Sequence, residues 1–273
     1  MRSAILRGVI RLVCIDVDGT LIGSSGDVLP ANWAAAEKAR ARGIRLALCS
    51  GRPAFGISRS YAERLDPEGW HVFQNGASVV HLPTGKSRSA AFPAGTLAAL
   101  IARARRTGHI LELYTDTEYA AERDTDPSRR HAALLGIPYQ PRSFDSLTGT
   151  IVRAQWLVLH DEVSAMLGEP HPDIEAIPST SPLMPETIFI NMTAAGVGKA
   201  SAVKTIAAAY GIPLEEVMMV GDGLNDLTAL RTVGFPVAMD NAEPQVKAAA
   251  RLHVGHVDKA GLAEALELAL TAG

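Results

Sequence analysis

The sequence has little cysteine, no dense basic block and no long apolar run, and each shortage argues against a class of protein. Its only cysteines, Cys14 and Cys49, lie in apolar, strand-like segments. A thiol in such a segment behaves as a small buried hydrophobe, so we predict two reduced cysteines and no disulfide framework. No stretch approaches the roughly 18 apolar residues of a membrane span. The segment Met1–Arg11 lacks the apolar region of a signal peptide, so we expect a cytoplasmic protein.

Charge is nearly balanced along the chain. The 273 residues include 26 Lys and Arg against 29 Asp and Glu, a net charge of −3. Proteins that bind nucleic acid by its phosphate backbone need a basic surface, so we expect neither nucleic acid nor a membrane as a partner. With 47% hydrophobic residues and a mean hydropathy of +0.11, the chain has enough apolar side chains for one large or two modest globular domains.

Strand-like and helix-like segments alternate at both ends of the chain. Apolar runs at 12–15, 44–49 and 71–73 are separated by predicted helices, and this rhythm predicts a parallel sheet with right-handed crossovers. A hairpin pattern begins at Ser78, and mixed strands and helices follow. The crossover rhythm resumes at Ile188–Met192. We therefore predict an α/β core, doubly wound around a parallel sheet, from residues 1–82 and 186–273, with an inserted α+β domain at 83–185.

Polar clusters stand where the predicted core strands end. Because the carboxyl ends of parallel strands open onto one edge of a sheet, we expect the clusters to meet there. Alternation along an extended chain would also place the first two carboxylates on the same side, if the strand continues that far. Carboxylates suit Mg²⁺, whereas a hydroxyl and an ammonium suit phosphate oxygens. The residues concerned are Asp16, Asp18, Ser50, Lys199, Asp222 and Asp226.

The same motifs carry a resemblance to a known family. Asp16-Val17-Asp18-Gly19-Thr20, Ser50-Gly51-Arg52, Lys199 and Gly221–Asp226 stand in the order and separation of the motifs of the haloacid dehalogenase-like hydrolase superfamily. The resemblance covers a Rossmann-like core. The insert is similar to the type IIB cap of the Cof-type phosphatases, whose Asn-Gly-Ala signature resembles Asn75-Gly76-Ala77.

This resemblance implies a role for each matching residue. Asp16 would attack phosphorus and form an aspartyl phosphate, and Asp18 would protonate the leaving oxygen and later activate water. Ser50 and Lys199 would hold the transferring phosphoryl group. Further phosphate-binding candidates are Gly51, Arg52 and Asn225, although Arg52 fits a structural salt bridge equally well. Mg²⁺ would be held by Asp16, the backbone carbonyl of Asp18 and Asp222, with Asp226 as a nearby or water-bridged ligand.

The function implied is that of a Mg²⁺-dependent phosphatase acting on a small phosphorylated metabolite, with a sugar phosphate as the first expectation. A sugar phosphomutase and a glycosyl-phosphoglycerate or sucrose-phosphate type phosphatase are alternatives within the enzyme class. A non-catalytic sensor of a phosphorylated ligand is an alternative outside it, but every chemical position holds a competent residue. A monomer or a weak dimer is expected.

Overall fold

The computed structural model describes residues 8–169, 171–181 and 183–272. Residues 1–7, part of the segment considered above for a signal peptide, lie outside these ranges, and so do the predicted domain limits at residues 1 and 273. In chain order the strands are β1 (Leu12–Ile15), β2 (Arg45–Leu48), β3 (Trp70–Phe73), β4 (Ser78–His81), β5 (Lys86–Ser87), β6 (Ile110–Tyr114), β7 (Tyr119–Ala121), β8 (Arg153–Val158), β9 (Ile174–Ser179), β10 (Ile188–Ala194), β11 (Val217–Gly221), β12 (Phe235–Met239) and β13 (Leu252–Val254). The helices are α1 (Pro30–Ala41), α2 (Ile57–Leu65), α3 (Ala94–Thr107), α4 (Asp126–Leu135), α5 (Val163–Leu167), α6 (Lys199–Tyr210), α7 (Leu227–Leu230), α8 (Pro244–Ala249) and α9 (Gly261–Thr271).

The first sheet is parallel, with the strand order β13-β12-β11-β1-β2. Its side chains alternate between two apolar layers, as they must in a strand buried on both faces. On β1, Val13 and Ile15 pack with α1, α2 and α9, whereas Leu12 and Cys14 pack with α6, α7 and α8. The predicted doubly wound core sheet is confirmed.

The third predicted strand pairs differently from expectation. The strand β3 pairs antiparallel with β4, and β4 with β5, so the predicted hairpin after Ser78 is present as β4–β5. A single parallel bridge between Cys49 and Val72 joins β3 to the end of β2. The chain reverses after β3 because Gln74 and Asn75 adopt left-handed backbone conformations, with φ near 53° and 54°.

The second sheet is antiparallel, with the order β7-β6-β8-β10-β9. The assignment of Ile188–Met192 to the first sheet is wrong, because this segment forms β10 between β8 and β9. A short apolar run has the same composition in either kind of sheet, so composition alone misassigned it. Pro178, the first residue of a Pro-rich segment, lies in β9. With β10 in the second sheet, we move the predicted domain boundary from 186 to the residue after Ala194.

The structure bears on two predictions, one about the two cysteines and one about membrane-spanning segments. Cys14 and Cys49 are both buried and free. Over the residues that the structure describes, none of the helices combines the length and the apolar character needed to cross a membrane.

Candidate active site

Three carboxylates meet at the edge of the first sheet. Asp16 follows β1, Asp222 follows β11, and Asp226 ends the short 3₁₀ turn after β11. One oxygen from each carboxylate lies within 4.8 Å of the others. Asp226 is fully buried and Asp16 is 5% exposed. The convergence expected from the parallel strands is therefore present for these three residues.

Lys199 supplies the positive charge inside this cluster. It is the first residue of α6, and its ammonium Nζ lies 2.5 Å from Asp16 Oδ1 and 2.6 Å from Asp226 Oδ1. Its side chain is completely buried. Burial alone would lower the pKa of Lys199, but the charges of Asp16 and Asp226 outweigh it and the pKa is raised. Lys199 thus stays protonated at neutral pH.

Asp226 has both carboxylate oxygens engaged. Oδ1 accepts from Lys199, and Oδ2 accepts from the backbone N–H groups of Asp222 and Gly223, each at 3.1 Å. The carboxylate also fills the space beside Gly221, where an added Cβ would lie 2.5 Å from it. Asp226 therefore fixes the loop that carries Asp222 and orients Lys199.

Asp222 has donors on both of its oxygens. Oδ1 accepts from the hydroxyl of Thr20 at 3.1 Å, and Oδ2 accepts from the side-chain amide of Asn241 at 3.2 Å. Gly19, with φ at +88°, is required here, because a Cβ would lie 2.0 Å from Asp222 Oδ2. Burial, and next the charge of Asp226, raises the pKa of Asp222 to about 7. Asn241 was missed in the sequence, although it follows β12 as the other site residues follow their strands.

The donor set fits a hard divalent cation. Asp16, Asp222 and Asp226 bring three carboxylates to one ammonium, so negative charge is in excess. Burial and the charge of Asp226 raise the pKa of Asp16 well above its ordinary range, with Lys199 opposing them. Oxygen ligands of this kind suit Mg²⁺. Within the described residues, no other group of three His, Cys, Asp or Glu side chains converges in this way.

Asp18 stands apart from this cluster. The chain turns immediately after β1, since the N–H groups of Thr20, Leu21 and Ile22 all bond to the carbonyl of Val17. The expectation that Asp16 and Asp18 project to the same side required the strand to continue to Asp18, and that condition is not met, because β1 ends at Ile15. The Asp18 side chain is 63% exposed and is held by Arg52 through two bonds, Nε–Oδ2 at 3.0 Å and Nη2–Oδ1 at 2.6 Å. Arg52, a phosphate-binding candidate, here contacts a carboxylate.

The loop after β2 carries the remaining candidates. Ser50 is fully buried, and its hydroxyl oxygen accepts a 3.0 Å bond from the backbone N–H of Arg52. Gly51 lies against Asn75, whose amide would be 3.1 Å from a Cβ at position 51. Asn225 donates to Asn75 Oδ1 at 3.0 Å. The structure thus brings Ser50, Gly51 and Asn225 to one place, with Asn75 between the last two.

One contact to this loop comes from the second sheet. Arg153, the first residue of β8, donates from Nη1 to the carbonyl of Gly51 at 2.6 Å. No motif predicts this contact, because an arginine at a strand start is ordinary and the contact depends on how the two sheets face each other.

Comparisons with known proteins agree with this geometry. A sequence profile of the haloacid dehalogenase-like hydrolases matches residues 13–266. The chain belongs to the haloacid dehalogenase-like hydrolases. It is 27% identical over 272 residues to the 5-amino-6-(5-phospho-D-ribitylamino)uracil phosphatase YbjI of Escherichia coli (strain K12), covering 96% of both chains. It is also 27% identical over 277 residues to the phosphatase YwpJ of Bacillus subtilis (strain 168), covering 88% of this chain and 93% of that one.

Solved structures show the same fold. A haloacid dehalogenase-like hydrolase from Bacteroides thetaiotaomicron superposes with a TM-score of 0.78 at 25% identity, covering 94% of this chain and 98% of that one. The subclass IIB sugar phosphatase BT4131 superposes with a TM-score of 0.80 at 24% identity, with the same coverage. The predicted family and fold class are confirmed, and the expected enzyme class, a phosphatase, is the one for which the relatives are named.

Proposed function

We propose that the protein is a Mg²⁺-dependent phosphatase that hydrolyses a small phosphorylated metabolite through an aspartyl phosphate at Asp16. The observation that carries the proposal is the buried contact of Lys199 with Asp16 beside two further carboxylates. A carboxylate is a weak nucleophile that an anionic phosphate repels, so the site needs positive charge next to it. Lys199 provides one such charge.

Asp16, the backbone carbonyl of Asp18 and Asp222 would hold Mg²⁺, with Asp226 contributing through water. When bound, Mg²⁺ supplies charge neutralisation to the phosphoryl oxygens. Asp226 is the weakest direct ligand of the set, because one of its oxygens bonds to the Lys199 ammonium and the other to two backbone N–H groups, whereas each oxygen of Asp222 accepts from a single neutral side chain.

The chain's own side chains then divide the chemistry. A carboxylate oxygen of Asp16 attacks phosphorus, and the bond from phosphorus to the ester oxygen breaks. Asp18 donates a proton to that leaving oxygen and afterwards takes a proton from the water that attacks the aspartyl phosphate, which releases inorganic phosphate and restores Asp16. The exposure of Asp18 supports this role, because an exposed carboxylate is accessible to substrate and to water once it separates from Arg52. Lys199 and the Ser50 hydroxyl hold the phosphoryl oxygens.

The substrate class that we propose is a phosphate ester of a polyhydroxylated compound. Two similar proteins support it: YbjI is named for a phosphoribitylamino compound, and BT4131 is named as a sugar phosphatase. We further propose that residues up to 82 and from 195 form the catalytic core, and that residues 83–194 form a cap that closes over it. Contacts such as Arg153 to Gly51 and Gln74 Nε2 to the carbonyl of Thr115, at 2.8 Å, would join the two when closed.

Substitution of Asp16 tests the proposal. Asp16→Asn keeps the shape of the side chain and removes the nucleophilic charge, so Mg²⁺-dependent hydrolysis of p-nitrophenyl phosphate should fall by more than about 1,000-fold. Wild-type protein quenched during turnover should contain phosphate on the peptide that carries Asp16, detected by mass spectrometry. Asp240→Asn is the matched control, because Asp240 is an exposed carboxylate directly after β12. Undiminished hydrolysis by Asp16→Asn would exclude this mechanism.

A further inference from the structure

The second sheet turns a polar face toward the loop after β2. Alternation along β6, β8 and β10 puts Leu111, Trp156 and Ile190 into the apolar layer packed under α3. The opposite face carries polar side chains at neighbouring positions of the same strands: the buried Glu112, Tyr114, Arg153 and Gln155, and the half-buried Asn191. Burying a sheet face of this composition costs free energy unless its polar groups find hydrogen-bond partners. The partners that these groups contact therefore indicate the role of the face.

Arg153 is the member of this face that reaches across to the core. It is 2% exposed, and its guanidinium carbon lies 3.9 Å from the ring centroid of Tyr114, its pairing partner on β6. Nη1 donates to the carbonyl of Gly51 at 2.6 Å and to Asn191 Oδ1 at 3.2 Å. Tyr114 and Asn191 thus hold a buried cation against one carbonyl of the loop that contains Ser50.

That carbonyl belongs to the same peptide unit as the N–H that bonds to Ser50. The Gly51 carbonyl accepts from Arg153, and the Arg52 N–H of the same unit donates to Ser50 Oγ at 3.0 Å. The bond is trans, and a trans peptide unit is a rigid plane whose C=O and N–H point in opposite directions. Fixing the carbonyl end therefore fixes the N–H end. A cation on the oxygen also polarises the unit and strengthens the N–H as a donor.

We propose that Arg153 is a positioning residue that orients the Ser50 hydroxyl through the Gly51–Arg52 peptide. With one acceptor site of Ser50 Oγ taken by the Arg52 N–H, the hydroxyl proton is directed away from the loop and is free for a phosphoryl oxygen. Because Arg153 lies on the second sheet, Ser50 is correctly oriented only while that sheet covers the core. This inference rests on the proposed function of Ser50 as a ligand of the phosphoryl group.

The effect acts on the phosphoryl group and is therefore independent of the alcohol that leaves. A residue that contacted the leaving group would discriminate between substrates, whereas one that orients Ser50 should affect all substrates equally. It should also have nothing left to act on once the Ser50 hydroxyl is gone. These two properties separate positioning from leaving-group recognition and from a general loss of structure.

A double-mutant cycle tests the inference. Arg153→Met keeps most of the side-chain volume and removes the donor, and should lower kcat/KM about 10- to 100-fold. The fold-loss should be equal for p-nitrophenyl phosphate and for a hexose phosphate. Ser50→Ala should cost about the same, and Ser50→Ala with Arg153→Met should be no worse than Ser50→Ala alone. Arg103→Met is the control. Arg103 is a largely buried arginine of α3, the helix that packs on the second sheet, and it pairs with Glu169 and donates to the carbonyl of Ala165. It should change kcat/KM by less than about twofold.

Three results would overturn the inference. They are multiplicative losses in the double variant, a loss that differs between the two substrates, or a loss of the same size in Arg103→Met. If Arg153→Met does not fold, Arg153→Lys, which keeps a cation, replaces it in the same cycle under the same criteria. Its kcat/KM should fall by less than the loss expected for Arg153→Met. Failure of the proposed function is a separate outcome, since it appears as undiminished hydrolysis by Asp16→Asn.

Discussion

Asp226 at the edge of the first sheet and Glu112 in the second sheet are both carboxylates with no solvent exposure, and their surroundings differ. Around Asp226, three carboxylates share the single ammonium of Lys199, and the pKa values of Asp16 and Asp222 are raised. The donors around Glu112 serve this one carboxylate. Its Oε2 accepts from Tyr114 at 2.5 Å, His131 at 2.9 Å and Gln155 at 3.1 Å. Although burial opposes it, His131, Tyr114 and the charge of Arg153 lower the pKa of Glu112.

The difference distinguishes a candidate catalytic site from a structural hydrogen-bond network. A cluster with excess negative charge is stabilised when a cation binds, so the first sheet gains stability from the ion that its proposed reaction needs. Glu112 has three donors on Oε2, whereas its buried Oε1 has no partner among the described residues. Because its pKa is lowered by side chains of the protein, the Glu112 carboxylate needs no added cation, and it holds its neighbours in fixed positions. Three predictions test whether the two buried carboxylate sites really differ in this way.

The largest effect is expected from removing the shared cation of the first sheet. Lys199→Met leaves the buried carboxylates of Asp16 and Asp226 without their shared cation, so the free energy of unfolding should fall by about 3–5 kcal/mol, and hydrolysis should fall by more than about 1,000-fold. Denaturant unfolding and steady-state kinetics measure the two losses. Lys38→Met is the control, because Lys38 pairs with Glu267 on the surface and should cost less than about 1 kcal/mol. Equal losses in Lys199→Met and Lys38→Met would mean that the carboxylates of the first sheet depend no more on their cation than a surface carboxylate does.

A smaller effect, mainly on stability, is expected in the second sheet. Glu112→Gln keeps the side-chain shape but brings an amide N–H₂ toward donors, and should lower the free energy of unfolding by about 1–3 kcal/mol. Glu112 reaches the core site only indirectly, through Tyr114 and the charge of Arg153, so kcat should fall by less than about tenfold. Glu63→Gln, at the exposed pair with Arg59, is the control and should change stability by less than about 0.5 kcal/mol. An activity loss as large as that of Lys199→Met would contradict a purely structural role for Glu112.

The same division marks what the sequence could reveal. Asp16, Asp222 and Asp226 were predictable together, because parallel strands that end in polar residues must bring them to one edge. Lys199 was assigned to the same site by the family resemblance, since the strand before it, β10, lies in the second sheet. The pairing of Asp18 with Arg52 was not, because the turn after Ile15 depends on local hydrogen bonds.

The second sheet offered much less to sequence reasoning. Antiparallel strands take their neighbours from tertiary pairing, so the run at Ile188 was assigned to the wrong sheet. The contact of Arg153 with Gly51 depends on how the two sheets face each other, which no motif encodes.

The smallest effect is a pH dependence confined to the first sheet. In metal-free protein the pKa of Asp222 is about 7, above its ordinary value of 3.8, so the folded state binds this proton more tightly than the unfolded state. The resulting stability is present below about pH 4 and is lost as pH rises through about 7. One full proton would give a slope of about 1.4 kcal/mol per pH unit, and solvent near the partly exposed Asp222 reduces it to a fraction of that. Melting temperatures measured with chelator should therefore fall more steeply with pH for wild type than for Asp222→Asn. Saturating Mg²⁺ should remove the fall, because the cation binds the ionised carboxylate. Parallel curves for the two proteins would mean that Asp222 does not titrate in this range, and that the first sheet's carboxylates are as well compensated as Glu112.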